Sequence, residues 1–164
     1  MAAQLKAIRR AVADRLRGRT MAGERVSTNR PDQVWKLATP AIVIHTQDDE
    51  SDLDQTGPPE YTRRARVLIE LLLEDARSGF PPDDQLDDFA EEVEQLLYVD
   101  PRLGGAAREG RQLSWAMRVA DGGEVLVGGG TLTWEFMYYT EAREGDPGAI
   151  ADLLAAHTYY NATP

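Results

Sequence analysis

The residues best suited to chemistry form one acidic run between positions 48 and 54. Five of its seven residues carry carboxylates, namely Asp48, Asp49, Glu50, Asp52 and Asp54. Clustered carboxylate oxygens are the ligands that Ca²⁺ and Mg²⁺ prefer. An EF-hand loop needs glycine at its sixth position and glutamate at its twelfth, and counting from Asp48 these are Leu53 and Pro59. The run therefore favours an exposed, mobile, solvated loop over 48–59, with a cation site as the alternative.

Other residue patterns that can support catalysis lack their partners. The glycines at 128–130 are not followed by the Lys-Ser/Thr of a phosphate-binding loop, and they predict a flexible or close-packed hairpin connection. Ser114 has no Gly-x-Ser-x-Gly surroundings, and His45 is one of only two histidines. Cysteine is absent, which excludes disulfides and thiolate zinc sites. We therefore expect no catalytic residues, no cofactor and no metal site, and a protein that is not an enzyme.

Charge is distributed unevenly along the 164-residue chain, whose size and 42% hydrophobic content fit one globular domain. Residues 1–30 hold eight basic and two acidic residues, a charge of +6, so the remainder carries −16 within a net charge of −10. An acidic protein of this kind argues against nonspecific nucleic-acid binding. A basic N-terminal segment, with Arg9 and Arg10, can instead dock on the acidic body of a neighbouring copy.

No stretch approaches the roughly 20 apolar residues of a membrane span, and the basic start contains no apolar segment of a secretory signal. We expect a soluble protein made in the cytoplasm.

Hydrophobic periodicity predicts an α+β domain, with a small sheet of about four strands flanked by two helices and long mobile loops. Helices are expected at 1–18 and 81–100, each with one apolar stripe, and a short helix at 149–156. Strands are expected at 41–45, 61–74, 112–120 and 131–140, with an irregular stretch at 24–33 and a glycine-rich connection at 121–130. Period-two alternation places one face of the second strand in the core, namely Ala65, Val67, Ile69, Leu71 and Leu73.

Three arginines open that second strand: Arg63, Arg64 and Arg66. They either form salt bridges within the monomer, which stabilise by roughly 0–1 kcal/mol each, or set the register of a subunit interface. The aromatic residues that follow alternate without interleaved basic residues, which favours core and subunit contacts over base stacking, namely Trp115, Trp134, Phe136, Tyr138 and Tyr139.

The order of these segments resembles the tail terminator proteins of long-tailed bacteriophages, the group that includes the minor tail protein U of lambdoid phages. The similar features are the amphipathic helix from Leu5 to Leu16, a strand at 41–44 running into an acidic segment, a long strand opened by residues 61–67, the helix at 89–96, the turn at 100–105 and the closing strand at 131–140. They cover residues 1–142, which the resemblance implies to be one tail-terminator-like domain, with 143–164 as a C-terminal extension.

The resemblance implies a hexameric ring that caps the head-proximal end of the tail tube, stops its polymerisation and offers a joining surface to the head. Its partners would be further copies of itself, the major tail tube protein and a head-completion or neck protein. DNA would pass through the lumen without specific binding, and acidic residues there would repel it. The expected location is the virion tail, after assembly in the host cytoplasm. The candidate interface residues are Arg9, Arg10, Arg63, Arg64, Arg66, Asp48, Asp49, Glu50, Asp52, Asp54, Leu126 and Val127.

Three alternatives remain open from the sequence. The first is a head–tail completion protein of similar size. The second is a small intracellular enzyme or ligand-binding domain, which would need a deep apolar pocket with perturbed carboxylates. The third is a nucleic-acid binder that uses only the basic helix, which would show steeply salt-dependent binding.

Overall fold

A computed structural model describes residues 2–28, 38–54, 60–74, 81–121 and 126–141. The elements in chain order are α1 (Ala2–Leu16), β1 (Val26–Ser27), β2 (Ala41–Asp54), β3 (Glu60–Glu74), α2 (Pro82–Val99), a 3₁₀ turn (Leu103–Gly105), β4 (Glu109–Asp121) and β5 (Leu126–Glu141). The α+β class and both long helices are as the periodicity predicts.

The described strands form one sheet in the order β1-β2-β3-β5-β4. Strand β1 runs parallel to β2, and every other neighbouring pair is antiparallel. The sheet has one strand more than expected because the segment at 24–33 was predicted to be irregular. Its two-residue strand, Val26–Ser27, is too short to show a period.

Both helices pack on the same face of the sheet, which we call the helix side; the opposite face, on which no helix of the described residues packs, is called the open face. In α1 the stripe residues Ile8, Val12 and Leu16 are fully buried, and Gly18 follows the helix with a positive φ of 69°. Helix α2 begins at Pro82, where a fixed φ suits the first turn, and buries a stripe that includes Leu86. Both helices thus bury an apolar stripe as the periodicity predicts, with Leu5 and Leu96 of the predicted stripes only partly buried.

The helix side of the sheet supplies the rest of the core. The predicted inward face of β3 is buried throughout, as are Leu132, Trp134, Phe136 and Tyr138 of β5. Tyr98 of α2 lies 4.9 Å from Trp134 between ring centroids. The aromatic residues of β5 are thus core residues, whereas Tyr139, on the open face, remains 40% exposed.

The acidic run is not a loop, so the prediction over 48–54 is wrong. It continues strand β2 to Asp54, in antiparallel register with β3, where Asp49 lies opposite Ala65 and Glu50 opposite Arg64. Asp48 and Asp49 are partly enclosed rather than fully exposed. The physical reason is the arginine cluster at the start of β3, which places positive charge beside these carboxylates and removes the repulsion that would favour a solvated loop.

The glycines at 128–130 lie within strand β5, opposite residues 71–73 of β3, so the prediction of a connection there is also wrong. A Cβ at Gly130 would overlap the indole ring of Trp115, and one at Gly128 would lie 2.9 Å from Leu86 Cδ1. The glycines provide space for side chains that cover the strand, and this packing keeps the strand regular despite its composition.

Two register shifts change which face later residues occupy. One lies between Thr46 and Asp48 of β2, and the other between Gln112 and Ser114 of β4. The sequence pattern places Gln112 on the same side as Ser114. The second shift instead puts it opposite Trp134, on the helix side, where its amide nitrogen donates to Glu94 Oε1 at 2.6 Å.

Several predictions fall outside the described residues, namely the connection at 55–59, residues 122–125, the helix at 149–156 and the extension 143–164. Within the described part of the chain, no helix is long and apolar enough to cross a membrane.

Candidate functional site

A polar cluster interrupts the helix side of the sheet near the far end of β2. The Arg63 guanidinium donates to Asp49 Oδ2 at 3.2 Å and to Thr140 Oγ1 at 3.0 Å. The Tyr138 hydroxyl donates to the other oxygen of the same carboxylate, Asp49 Oδ1, at 3.0 Å. The side chains of Arg63 and Asp49 are each only 12% exposed. These four residues form one connected, largely enclosed network.

The register shift in β2 creates this cluster. Before the shift, Thr46 lies opposite Val67 on the helix side, and uninterrupted alternation would next place Asp48 there. The extra residue, Gln47, moves Asp48 to the open face and Asp49 to the helix side, opposite Ala65. Arg63 is two residues from Ala65, so it shares that face, and its direct partner on β5 is Tyr138.

Tyr138 should titrate at unusually high pH. Burial is the main cause that raises its pKa above the ordinary value of about 10, and the hydrogen bond to the Asp49 carboxylate raises it further, while Arg63 acts in the opposite direction. The folded state therefore holds the phenol proton more tightly than the unfolded state. This contribution to stability is complete below pH ~10 and is lost as the pH rises toward the folded pKa.

We expect the free energy of unfolding to fall between pH 9 and pH 11, because the unfolded chain releases the Tyr138 proton first. Urea unfolding at several pH values measures this slope. The Tyr138→Phe variant keeps the ring and lacks the proton, so its slope should be shallower. Equal slopes in the two proteins would contradict the assignment.

The open face carries charged pairs across neighbouring strands. Arg66 of β3 donates to Asp48 Oδ2 at 3.2 Å and lies 3.4 Å from Glu50 Oε1, both on β2. Arg111 of β4 binds Glu135 of β5 with two nitrogens on one oxygen, at 2.7 and 2.9 Å. In the sheet register, Asp48, Arg66, Glu135 and Arg111 lie in one row across four strands. Their charges alternate, so each strand meets the opposite charge on its neighbour.

Two open cavities of the described part lie beside these polar residues. One of about 170 Å³ lies over the row of charges, between Arg64 and Glu109. Another of about 360 Å³ lies beside the 3₁₀ turn and is lined in part by Arg102, Arg108 and Tyr139. Among the residues described, no group of three histidines, aspartates or glutamates could hold a metal ion.

His45 and Ser114 are not brought together. They lie on β2 and β4, three strand spacings apart in the sheet, or about 14 Å. His45 Nε2 instead lies 3.7 Å from Glu70 Oε1 of the adjacent strand. A shared catalytic role for this pair would require the two side chains to meet, and the sheet prevents it.

The basic N-terminal segment is part of the domain rather than a separate arm. Arg9 donates to Thr46 Oγ1 at 2.9 Å, Arg15 to the Leu96 carbonyl at 3.1 Å, and Arg17 to the Val26 carbonyl at 3.3 Å. Lys6 and Arg10 are exposed on the outside of α1. The positive charge of the N-terminal segment is therefore held in a fixed place against the sheet.

The other candidate interface residues are distributed over both faces and both ends of the sheet. Arg63 and Arg66 form internal ion pairs, while Arg64 lies opposite Glu50 and Met137. Asp52 and Asp54 continue β2, and Leu126 and Val127 begin β5 opposite residues 120–121 of β4.

The sequence interpretation did not identify Tyr138, Thr140, Glu135 or Arg111 as polar partners. The sequence shows that Arg111 and Glu135 carry opposite charges. That they pair depends on the register of β4 and β5, which the sequence does not show.

No protein-family model and no curated protein matches this chain. Among solved structures, it is similar to a chain described as the virion of a native gene transfer agent (GTA) particle. The TM-score is 0.39 and the sequence identity 11%, over 82% of this chain and 98% of that chain. A similarity of this size establishes neither fold nor function.

Proposed function

We propose that this protein is a structural component of a bacteriophage virion, a tail terminator that forms a ring, caps the tail tube, stops its polymerisation and offers a joining surface to the head. It works through protein–protein contacts and carries out no catalysis. The observation that carries the proposal is the long antiparallel pair β2–β3.

Strands β2 and β3 contain 14 and 15 residues, against a usual five or six. At about 3.3 Å per residue they extend roughly 46–50 Å. Helices α1 and α2 contain 15 and 18 residues, which at 1.5 Å per residue gives only about 22–27 Å. The helices therefore cover about half of the length of the strand pair.

On the helix side of the strand pair, the side chains change from apolar to charged beyond the part that the helices cover. The apolar helix-side residues of β3 give way to Arg63, which forms an ion pair with Asp49 on the same face of β2. The ion pairs on the open face are partly exposed, and pairs of this kind contribute little stability within a monomer. In an assembly, the same charges set register and exclude wrong partners. The pair is therefore suited to contact a neighbouring subunit or the tube.

The order of elements supports the same proposal. The chain presents a helix, a long antiparallel strand pair, a second helix and a second antiparallel strand pair, which is the layout on which the resemblance to tail terminators rests. The net charge of −10 suits a ring whose lumen DNA must traverse without binding.

The test is the mass of the purified protein by light scattering across concentration, followed by negative-stain imaging. We expect rings of six copies with an open centre. Binding to isolated tails and not to DNA-filled heads would support a terminator, and the reverse preference would favour a head-completion protein. A protein that binds neither would contradict a role at this junction.

A further inference from the structure

Two opposite flanks of the domain carry opposite, outward-facing charge. The basic flank is the outer side of α1 beside the β1–β2 edge, with Lys6 and Arg10. The acidic flank is the outer side of α2 beside β4, with Asp84 and Glu91. We propose that a second copy of this chain binds head to tail, with the basic flank of one copy against the acidic flank of the next. This inference rests on the proposed ring.

Hydrogen bonds fix which side of α1 faces the β1–β2 edge. Arg9 reaches Thr46 of β2, and Arg17 reaches the Val26 carbonyl of β1. Lys6 lies three residues before Arg9, and Arg10 four residues after Lys6, so both lie on the same side of the helix. Lys6 and Arg10 are exposed and pair with no carboxylate of the described residues. Their charges are thus available to a partner.

Hydrogen bonds also fix which side of α2 faces β4. The Trp115 indole nitrogen of β4 donates to Asp87 Oδ1 at 3.2 Å, and the Gln112 amide nitrogen of β4 donates to Glu94 Oε1. Asp84 and Glu91 lie three residues before and four residues after Asp87, so they continue the same row, and both are exposed. Four acidic residues therefore line the side of α2 that faces the β4 edge.

The two flanks cannot neutralise one another within a monomer. They lie at opposite ends of a five-strand sheet, about 19 Å apart at the usual strand spacing. This exceeds twice the Debye length of about 8 Å at physiological ionic strength. Each flank therefore keeps its charge toward solvent, and complementary charge is available on another copy.

The arrangement favours one mode of association. A two-fold dimer through either flank would place like charges together, which is costly in a close contact. Head-to-tail contact pairs the basic flank with the acidic flank at every junction and generates a ring if the rotation closes. Among the described residues, β4 is the outermost strand at one edge of the sheet, and β1 pairs with β2 only as far as Val43 at the other. The same contact can thus bring backbone edges together.

The test uses two charge-reversal variants and their mixture. Lys6→Glu with Arg10→Glu makes both flanks acidic, and Asp84→Lys with Glu91→Lys makes both basic. Each variant alone should associate at least about tenfold more weakly than the wild type, because every junction becomes repulsive. Mixing the two variants should restore assembly, since every junction between unlike copies is again attractive. Added salt should weaken the wild-type assembly.

The control is Arg19→Glu with Arg102→Glu, which makes the same change in net charge as Lys6→Glu with Arg10→Glu, at exposed arginines outside both flanks. It should assemble as the wild type does, and circular dichroism should show that all variants are folded. Reversal variants that assemble alone, or a mixture that fails to restore assembly, would overturn the flank contact while leaving the ring intact. A wild type that stays monomeric at low salt would also overturn the contact, whereas the terminator role itself is judged by binding to tails.

Discussion

Replacing Arg63 by alanine should destabilise the folded protein by about 3 kcal/mol, because it leaves the Asp49 carboxylate enclosed without its cation. Both side chains are only 12% exposed, so solvent screens the pair only weakly. The substitution also removes the donor to Thr140. The Tyr138 hydroxyl still donates to Asp49, but a neutral donor compensates only part of a buried charge. Urea denaturation measures the loss.

The matched control is Arg66→Ala, three residues along the same strand. Arg66 also pairs with carboxylates of β2, but its side chain is 35% exposed and those of Asp48 and Glu50 are 36% and 60% exposed. Solvent screening should limit the cost to about 1 kcal/mol or less. Changing Arg63 and Asp49 together to leucine should recover much of the Arg63→Ala loss. Equal costs for the two arginine variants would show that burial does not distinguish these pairs.

This contrast shows what sequence periodicity could and could not establish. It identified strand β3, its buried face and the three arginines, because period-two alternation over a long segment is specific to a strand. The same alternation puts Arg63 on the face of Ala65 and Arg66 on the opposite face, but it could not show which carboxylates the two arginines meet. Which carboxylate each arginine meets depends on the single extra residue at Gln47, and a register shift leaves no local signal in the sequence.

The two wrong predictions have a common physical origin. Asp and Gly are disfavoured in isolated strands, so the acidic run and the glycines at 128–130 were both interpreted as loops. In each case a neighbouring element reverses the local preference. The arginines of β3 compensate the carboxylates of β2, and the side chains of Trp115 and Leu86 fill the space that the glycines leave. Tertiary contacts of this kind cannot be deduced from local composition.

Replacing Gly130 by alanine should destabilise the protein by about 2–3 kcal/mol, although alanine is intrinsically better than glycine in a strand. The reason is Trp115, whose indole ring lies over Gly130 and would overlap the new Cβ. That ring is held from its other end by the hydrogen bond to Asp87, so it cannot move away without losing a contact to α2. An aromatic side chain that covers a strand glycine is a known stabilising pair in sheets. Chemical denaturation of both proteins gives the difference.

Gly129 is the matched control for Gly130. It distinguishes the close approach of the Trp115 ring from the general effect of a glycine in a strand. A Cβ at Gly129 has only the Leu71 carbonyl oxygen nearby, at an ordinary 3.7 Å, so Gly129→Ala should be neutral or stabilise by about 0.5 kcal/mol. In a Trp115→Leu background the obstruction disappears, and Gly130→Ala should then also be neutral or stabilising. The sign of the Gly130 effect therefore depends on whether Trp115 is present. An unchanged cost without the indole would place the constraint in the backbone of β5 rather than in the contact with β4.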